Sequence, residues 1–178
     1  MAIKNTLHQL LIAVAVALCS CITAWSAQAA PVPAQENQDT EATTFLTRLQ
    51  EISDRASNLV TKAGNLIGIR YKYGGNTPEQ GLDCSGLVRL VFKDVLDVHL
   101  PRTAVEISRA GEKIEVSELQ PGDLVFYNTL KRGFSHVGIY MGNNKFIHSP
   151  STGGRVRVES MEVTYWKKRF NGARRITY

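Results

Sequence analysis

The sequence predicts an α+β domain, with N-terminal helices packed on one face of an antiparallel sheet of about five or six strands. The first observation behind this prediction is that helical periodicity is confined to the first half of the chain, where apolar residues recur three and four positions apart. The second is that short apolar or alternating runs, separated by turn residues, fill the second half. Helices followed by consecutive strands are typical of this fold class.

Composition and charge narrow the class of protein further. Hydrophobic residues make up 43% of the chain and charged residues 21%, which is ordinary for a globular domain. The formal net charge of +5 suits an anionic polymer or a membrane surface, but the basic residues are scattered along the chain. No nucleic-acid-binding motif is present, so we expect no nucleic-acid partner.

Residues 1–29 have the pattern of an export signal peptide. Lys4 precedes an apolar run over residues 10–18, and Ala27-Gln28-Ala29 supplies the small residues of a signal cleavage site. The apolar run is shorter than a membrane-spanning helix requires. An alternative is a lipoprotein signal ending in Cys21, whose lipidation would attach the protein to a membrane. Both interpretations predict export to the periplasm or the cell envelope.

The next two segments predict a linker and a first helix. Residues 30–44 are polar, contain two prolines and lack periodicity, which predicts a flexible linker. From about Thr44 to Ile67 the apolar residues hold close to a 3.6-residue period, which predicts a helix that packs on the core. The folded domain is accordingly predicted to occupy residues 45–178.

A second helix begins at Asp83-Cys84-Ser85-Gly86. Its apolar face is formed by Val88, Val91, Phe92, Val95 and Leu96. Cys84 lies four residues before Val88, so it projects from the same face in the first turn, and Asp83 is placed to cap that turn. Because the positive end of the helix dipole and unpaired N–H groups surround a first-turn thiol, they favour the thiolate of Cys84.

Loops and strands complete the pattern. Gly74-Gly75 marks a loop in which the backbone turns or approaches another segment closely. Tyr73, just before that loop, is predicted to lie in the core. Strands are predicted at residues 124–127, 136–141, 145–149, 155–158 and 173–177. Gly142-Asn143-Asn144 is the predicted hairpin turn between the second and third of them.

The cysteine count suggests that Cys84 is reactive. If the signal peptide is cleaved near Ala29, Cys84 is the only cysteine of the mature protein. An exported protein with a single thiol has no disulfide framework, so the thiol needs another reason to be present. The alternative is a small cysteine buried in the core.

Two histidines, His136 and His148, bracket the predicted hairpin and supply a base for this thiol. Side chains alternate along strands, so an odd-numbered loop brings both histidines to one face, whereas an even-numbered loop places them on opposite faces. With both on one face, Cys84 is the nucleophile, His136 the general base and acid, and His148 the third member that orients His136. The same three residues could instead bind zinc, but local zinc spacing and a fourth ligand are absent, so we predict no metal and no cofactor.

Six segments together resemble a known family. They are Tyr71-Lys72-Tyr73-Gly74-Gly75, Asp83-Cys84-Ser85-Gly86-Leu87, Leu100-Pro101-Arg102-Thr103, Pro121-Gly122-Asp123-Leu124-Val125-Phe126, and Ser135-His136-Val137-Gly138-Ile139-Tyr140 with Ile147-His148-Ser149. In this order, over about residues 55–177, they resemble the NlpC-type cell-wall cysteine peptidases, which are papain-like murein endopeptidases. The sequence departs from the family at Ala104–Ile107, where members often carry a glutamine.

The resemblance implies a catalytic domain of reduced papain-like fold with a Cys-His-His triad. It implies hydrolysis of amide bonds in peptidoglycan stem peptides or cross-links, so these peptides are the expected partner of a monomeric enzyme. Residues matching Tyr71 help to form the oxyanion hole in this family, and residues matching Asp83 and Ser85 often contact the amino end of the substrate. Two alternatives stay open: an inactive wall-binding or scaffold protein, and a thiol acyltransferase on a related fold.

Overall fold

A computed structural model of the chain describes residues 36–131, 133–151 and 154–177. The predicted signal peptide, including Cys21, lies outside the described residues. The chain divides into two units, residues 1–42 and residues 43–178. In the first unit the described residues are helical, and in the second they form helices and two antiparallel sheets.

Helix α1, Glu36–Gly64, is longer than predicted and less buried. Residues 36–44, predicted as the end of the linker, are helical because the helix that starts in the apolar pattern propagates backwards through residues without helix breakers. Its last turns pack on the core through Leu59 and Ala63. Four apolar residues nearer its start are instead exposed: Phe45 (61%), Leu46 (64%), Leu49 (47%) and Ile52 (57%). No helix among the described residues is both long and apolar enough to cross a membrane.

Helix α2, Cys84–Leu96, confirms the predicted capped helix. The side chain of Asp83 accepts a hydrogen bond from the backbone N–H of Gly86, and Asp97 ends the helix in the left-handed conformation. The predicted apolar face is buried at Val88, Val91 and Phe92. A short helix α3, Ala104–Ile107, follows and begins with a capping box between Thr103 and Glu106.

Two sheets accompany the helices. The small one pairs β1, Asn76–Thr77, with β2, Gly81–Leu82. The large one has six strands, which are β3 (Glu112–Ile114), β4 (Leu124–Tyr127), β5 (His136–Gly142), β6 (Lys145–His148), β7 (Arg157–Ser160) and β8 (Phe170–Arg175). Its strands lie in the order β3-β8-β4-β5-β6-β7, and every neighbouring pair is antiparallel. Helix α4, Thr164–Lys167, connects β7 to β8, and a 3₁₀ turn, Val116–Glu118, precedes β4.

The fold class and the strand number are therefore confirmed, but the first and last residues of some strands differ from the prediction. The strand predicted at residues 155–158 is β7 at Arg157–Ser160, because Arg155 pairs with Arg70 in an isolated bridge outside the large sheet. The strand predicted at residues 173–177 is β8, which begins at Phe170. The short strand β3 carries too little pattern to be predicted.

The large sheet has a core on each face. On one face, apolar residues of helix α2, such as Val88 and Phe92, form a buried cluster with residues of the sheet such as Val137. On the other face, an aromatic cluster surrounds Tyr127, Phe146 and Trp166. The histidines of the candidate site stand on this second face, at the end of the sheet where α2 begins.

Candidate active site

The β5–β6 hairpin brings the two histidines together by a route the sequence did not predict. The turn contains two residues, Asn143 and Asn144, both with positive φ (52° and 54°). Such a loop alone would place the histidines on opposite faces. A bulge between Tyr140 and Gly142 adds one residue to β5, so that Tyr140 pairs with Phe146. Even-numbered residues of both strands therefore share a face, as the predicted site requires.

His136 and His148 form a buried hydrogen-bonded pair. Nε2 of His136 lies 2.8 Å from Nδ1 of His148, and the two rings are nearly perpendicular at 88°. Gly138, between them on the same face, leaves room for this contact, since a Cβ there would lie 2.7 Å from the ring of Phe146. Because Nε2 of His136 is engaged by His148, Nδ1 is the ring nitrogen left to take the proton of a thiol.

Cys84 meets this pair at the first residues of β5. Its sulfur lies against the backbone N–H groups of Val137, of Ser85 and of Cys84 itself. Val137 directly follows His136, so the start of α2 and the first histidine adjoin. Burial raises the pKa of the Cys84 thiol to about 11, although these N–H groups act to lower it. The N–H groups at the helix start thus lower the pKa of the thiol as predicted, but burial raises this pKa by more.

Burial also keeps both histidines neutral. It lowers the pKa of His136 to about 3, with a smaller contribution from the neighbouring His148. It lowers the pKa of His148 to about 3 as well, aided by the charge of Arg157. At neutral pH the resting site therefore holds a thiol and two uncharged imidazoles. For this thiol to act as a nucleophile, its proton would have to move to a base such as His136 during the attack.

Because both histidines are buried and neutral, we expect the folded protein to lose stability in acid. Their ordinary pKa of 6.5 applies to the unfolded chain, which binds protons below that pH while the folded chain does not. The free energy of unfolding should therefore fall as the pH drops from about 6.5 towards 3, because protons bind the unfolded chain first. Urea unfolding at a series of pH values measures this slope. We expect the double variant His136→Gln/His148→Gln to have a shallower slope, and His99→Gln, at an exposed site, to keep it. An unchanged slope in the double variant would contradict the assignment.

The residues expected to contact substrate line one cleft next to the sulfur. This cleft has a volume of about 510 Å³ and includes Tyr71, Asp83, Cys84 and Ser85. Burial raises the pKa of the Tyr71 hydroxyl, and the nearby Cys84 and Asp83 add to this effect. The hydroxyl of Tyr71 therefore stays protonated and can donate a hydrogen bond into the cleft. Tyr73, predicted to lie in the core, is instead 86% exposed and lines the same cleft.

Asp83 is already fully engaged by the protein. One of its oxygen atoms accepts hydrogen bonds from the Gly86 N–H (2.7 Å) and the Ser85 hydroxyl (3.0 Å), and the other accepts from the Gly74 N–H (3.0 Å). Arg102 donates to both oxygens and to the Ser85 hydroxyl, at 2.7 Å from the latter. Burial opposes the charge on Asp83, but these hydrogen bonds outweigh it and lower its pKa. The role of Asp83 and Ser85 in binding the substrate's amino end stays a prediction.

Three further residues of the site were not predicted as functional. Arg102 forms an ion pair with Asp83. Glu159 accepts a hydrogen bond at 2.8 Å from Nε2 of His148, and Trp166 stacks on the ring of His136. For Glu159 the available signal was the alternation of polar residues along β7, which does not reveal the register of that strand.

Among the residues that the structure describes, no group of three or more His, Cys, Asp and Glu side chains is arranged to hold a metal ion. The two nitrogens through which His136 and His148 face each other are occupied by their mutual hydrogen bond.

A cysteine at a helix start, beside a histidine pair on an antiparallel sheet, is the arrangement of papain-like thiol peptidases. The chain belongs to the NlpC/P60 family, whose family model matches residues 68–175.

Relatives and solved structures agree with this membership. The chain is 48% identical over 113 residues to murein DD-endopeptidase MepH of Escherichia coli K12, an alignment that covers 62% of this chain and 42% of the relative. It is 41% identical over 123 residues to murein DD-endopeptidase MepS/murein LD-carboxypeptidase of the same organism, covering 69% and 64%. The crystal structure of an NlpC/P60 family protein from Bacillus cereus is similar with a TM-score of 0.63 at 30% identity, covering 67% of this chain and 39% of the other. The chain thus spans less than two thirds of the length of these relatives.

Proposed function

We propose that this protein is a murein endopeptidase that hydrolyses amide bonds in peptidoglycan stem peptides or cross-links by a thiol mechanism. The observation that carries the proposal is the hydrogen-bonded pair of His136 and His148 beside the thiol of Cys84. The printed names of MepH and MepS, both murein DD-endopeptidases, support the same substrate class.

The geometry supports the following sequence of steps. As the sulfur of Cys84 attacks the carbonyl carbon, Nδ1 of His136 accepts the thiol proton and becomes an imidazolium. The backbone N–H of Cys84 and the hydroxyl of Tyr71 donate hydrogen bonds to the developing oxyanion. His136 then protonates the leaving amine, which departs and leaves a thioester on Cys84. A water molecule, deprotonated by His136, then attacks the thioester carbon. The carbon–sulfur bond breaks, the acid product leaves, and His136 returns its proton to the sulfur of Cys84.

Substrate binding is assigned to the cleft on the Cys84 side. Tyr71, Asp83 and Ser85 line it, and the guanidinium of Arg102 closes one wall. Asp83 accepts hydrogen bonds from Gly74, Ser85 and Gly86 and forms an ion pair with Arg102, so the carboxylate and the guanidinium offset each other's charge at this wall. We propose that Asp83 and Ser85 contact the amino end of the substrate at this wall, the role that matching residues often have in the family.

The protein is proposed to work in the periplasm or cell envelope as a monomer. The signal pattern of residues 1–29 supports export, and lipidation of Cys21 is the alternative to cleavage near Ala29. A Cys21→Ala variant separates these outcomes, since it removes membrane attachment only if that cysteine carries the lipid.

The test is digestion of purified, cross-linked muropeptides, followed by mass spectrometry of the products. We expect the wild-type protein to convert dimeric muropeptides to smaller products by hydrolysis, each cut adding the mass of one water. The product masses also identify the bond, because cuts within a stem peptide and cuts at a cross-link give different fragments. Intact dimers after prolonged incubation, with no other muropeptide shortened, would overturn the proposal.

A further inference from the structure

A carboxylate lies directly behind the histidine pair. Glu159 stands on β7, where Phe146 pairs with Glu159 and His148 pairs with Arg157, so its side chain shares the face of Phe146 and His148. Its Oε2 atom lies 2.8 Å from Nε2 of His148 and also 2.8 Å from the indole Nε1 of Trp166. Its Oε1 atom lies 3.1 Å from a guanidinium nitrogen of Arg157.

These contacts fix where the protons of both histidines reside. A carboxylate only accepts hydrogen bonds, and an indole N–H only donates them, so Oε2 of Glu159 is an acceptor for both neighbours. Nε2 of His148 must then carry a hydrogen, which leaves Nδ1 of this neutral ring as an acceptor. Nε2 of His136, 2.8 Å from that acceptor, must therefore carry its own hydrogen. The remaining nitrogen, Nδ1 of His136, is left without a proton.

We propose that Glu159 is a positioning residue that sets the tautomers of His136 and His148 so that Nδ1 of His136 can accept the thiol proton. This inference rests on the proposed function for its catalytic meaning. The opposite tautomers would place a proton on Nδ1 of His136, and that nitrogen could then not act as a base. Without Glu159, nothing among these contacts selects the active pair of tautomers over the inactive one.

The negative charge of Glu159 also favours protonation of His136 during the reaction. When His136 becomes an imidazolium, its positive charge is linked to the carboxylate through two hydrogen bonds and the ring of His148. The groups that face Glu159 are Arg157, His148, Trp166 and, through its electrostatic influence, Tyr127 on β4. Arg157 offsets part of the negative charge, while the carboxylate still acts to raise the pKa of His136 against the effect of burial.

Trp166 holds this arrangement in place from helix α4. Its ring stacks on that of His136, with centroids 5.6 Å apart and planes at 23°, and meets that of His148 edge-on at 5.0 Å. Its N–H occupies the same oxygen of Glu159 that His148 uses. The carboxylate therefore has little freedom to turn away from the histidine.

Two variants of Glu159 and one control separate its effect as a hydrogen-bond acceptor from the effect of its charge. Glu159→Ala removes both the acceptor and the charge. Glu159→Gln keeps an oxygen that can accept from His148 and Trp166 but removes the charge. Glu162→Gln, on the same segment, changes an exposed ion pair with Lys167 and is the matched control.

Two measurements are made on each purified full-length protein. The first is ¹⁵N NMR of the histidine rings in the absence of substrate, which reports which nitrogen carries the proton. The second is the dependence of muropeptide cleavage rate on substrate concentration and on pH. In the wild type and in Glu159→Gln we expect protonated Nε2 on both histidines, and in Glu159→Ala a shift of His136 towards protonated Nδ1.

For Glu159→Ala we expect kcat to fall on the order of 10- to 100-fold with KM unchanged, and for Glu159→Gln a smaller fall. Unchanged ring tautomers in Glu159→Ala would overturn the inference, and so would wild-type kcat in that variant. The NMR result needs no substrate, so it stands or fails independently of whether the protein cleaves muropeptides. Should Glu159→Ala not fold, an unchanged kcat in Glu159→Gln would overturn the role of the charge, and Glu159→Leu would test the tautomers in its place.

Discussion

Replacement of Cys84 by alanine is expected to reduce the rate of muropeptide cleavage about 10⁴-fold or more while leaving the fold intact. The reason is that Cys84 carries the thiol that forms the covalent intermediate, and a base without its nucleophile contributes little. Only one sulfur atom, at a half-buried position, is lost, so the free energy of unfolding should change by about 1 kcal/mol or less. Initial rates from chromatography of muropeptides, together with thermal unfolding, provide the measurement.

Two control variants help to interpret the result for Cys84→Ala. Cys84→Ser keeps the size of the side chain but replaces a thiol by a weaker nucleophile, so we expect it to lose nearly as much activity. Lys93→Ala changes an exposed side chain on the same helix and should cleave at the wild-type rate. Substantial activity in Cys84→Ala would show that another group performs the reaction.

Gly86→Ala is expected to have the largest effect on stability. A Cβ at this position would lie 2.0 Å from the carbonyl oxygen of Gly75, a backbone atom that cannot rotate away. The Gly75 loop would have to move, and with it the hydrogen bond from Asp83 N–H to that oxygen and the N–H of Gly74 that binds the Asp83 side chain. We expect a loss of about 3 kcal/mol in the free energy of unfolding, measured by urea denaturation.

Gly64→Ala is the matched control for this substitution. Gly64 also lies in a helix, but a Cβ there would meet nothing within 4 Å. Alanine has the higher helix propensity, so stability should stay the same or rise by up to about 1 kcal/mol. If both substitutions have the same effect, the close approach of Gly86 to Gly75 does not control the start of helix α2.

The sequence predicted correctly those elements whose structure depends on local patterns, such as periodicity and helix capping. The periodicity of Val88, Val91 and Phe92 identified helix α2, and the small side chain of Asp83 before it identified the cap. Strands β4 and β5 were located from their apolar and alternating runs. Alternation along the hairpin also predicted that His136 and His148 share a face, on the condition of an odd-numbered loop.

The remaining features depend on tertiary contacts that no local pattern records. The bulge at Met141 restored the histidine geometry although the turn has two residues and not three. The position of Glu159 depends on how β7 aligns with β6 after an irregular connection. The exposure of Phe45 and Ile52 could not be predicted, because periodicity identifies an apolar face but not what covers it. Likewise, the pKa of Cys84 follows from burial, which outweighs the local effect of the helix start.

Trapping the covalent intermediate tests the central claim most directly. The protein is mixed with excess muropeptide, quenched in acid within the first turnovers, digested, and mapped by mass spectrometry. We predict a mass increase equal to the acyl part of the substrate on the peptide that contains Cys84, its loss upon treatment with hydroxylamine, and its absence in the Cys84→Ala protein. Muropeptide cleavage that proceeds at full rate with no adduct on Cys84, or with an adduct on another residue, would contradict the assignment of Cys84 as the nucleophile.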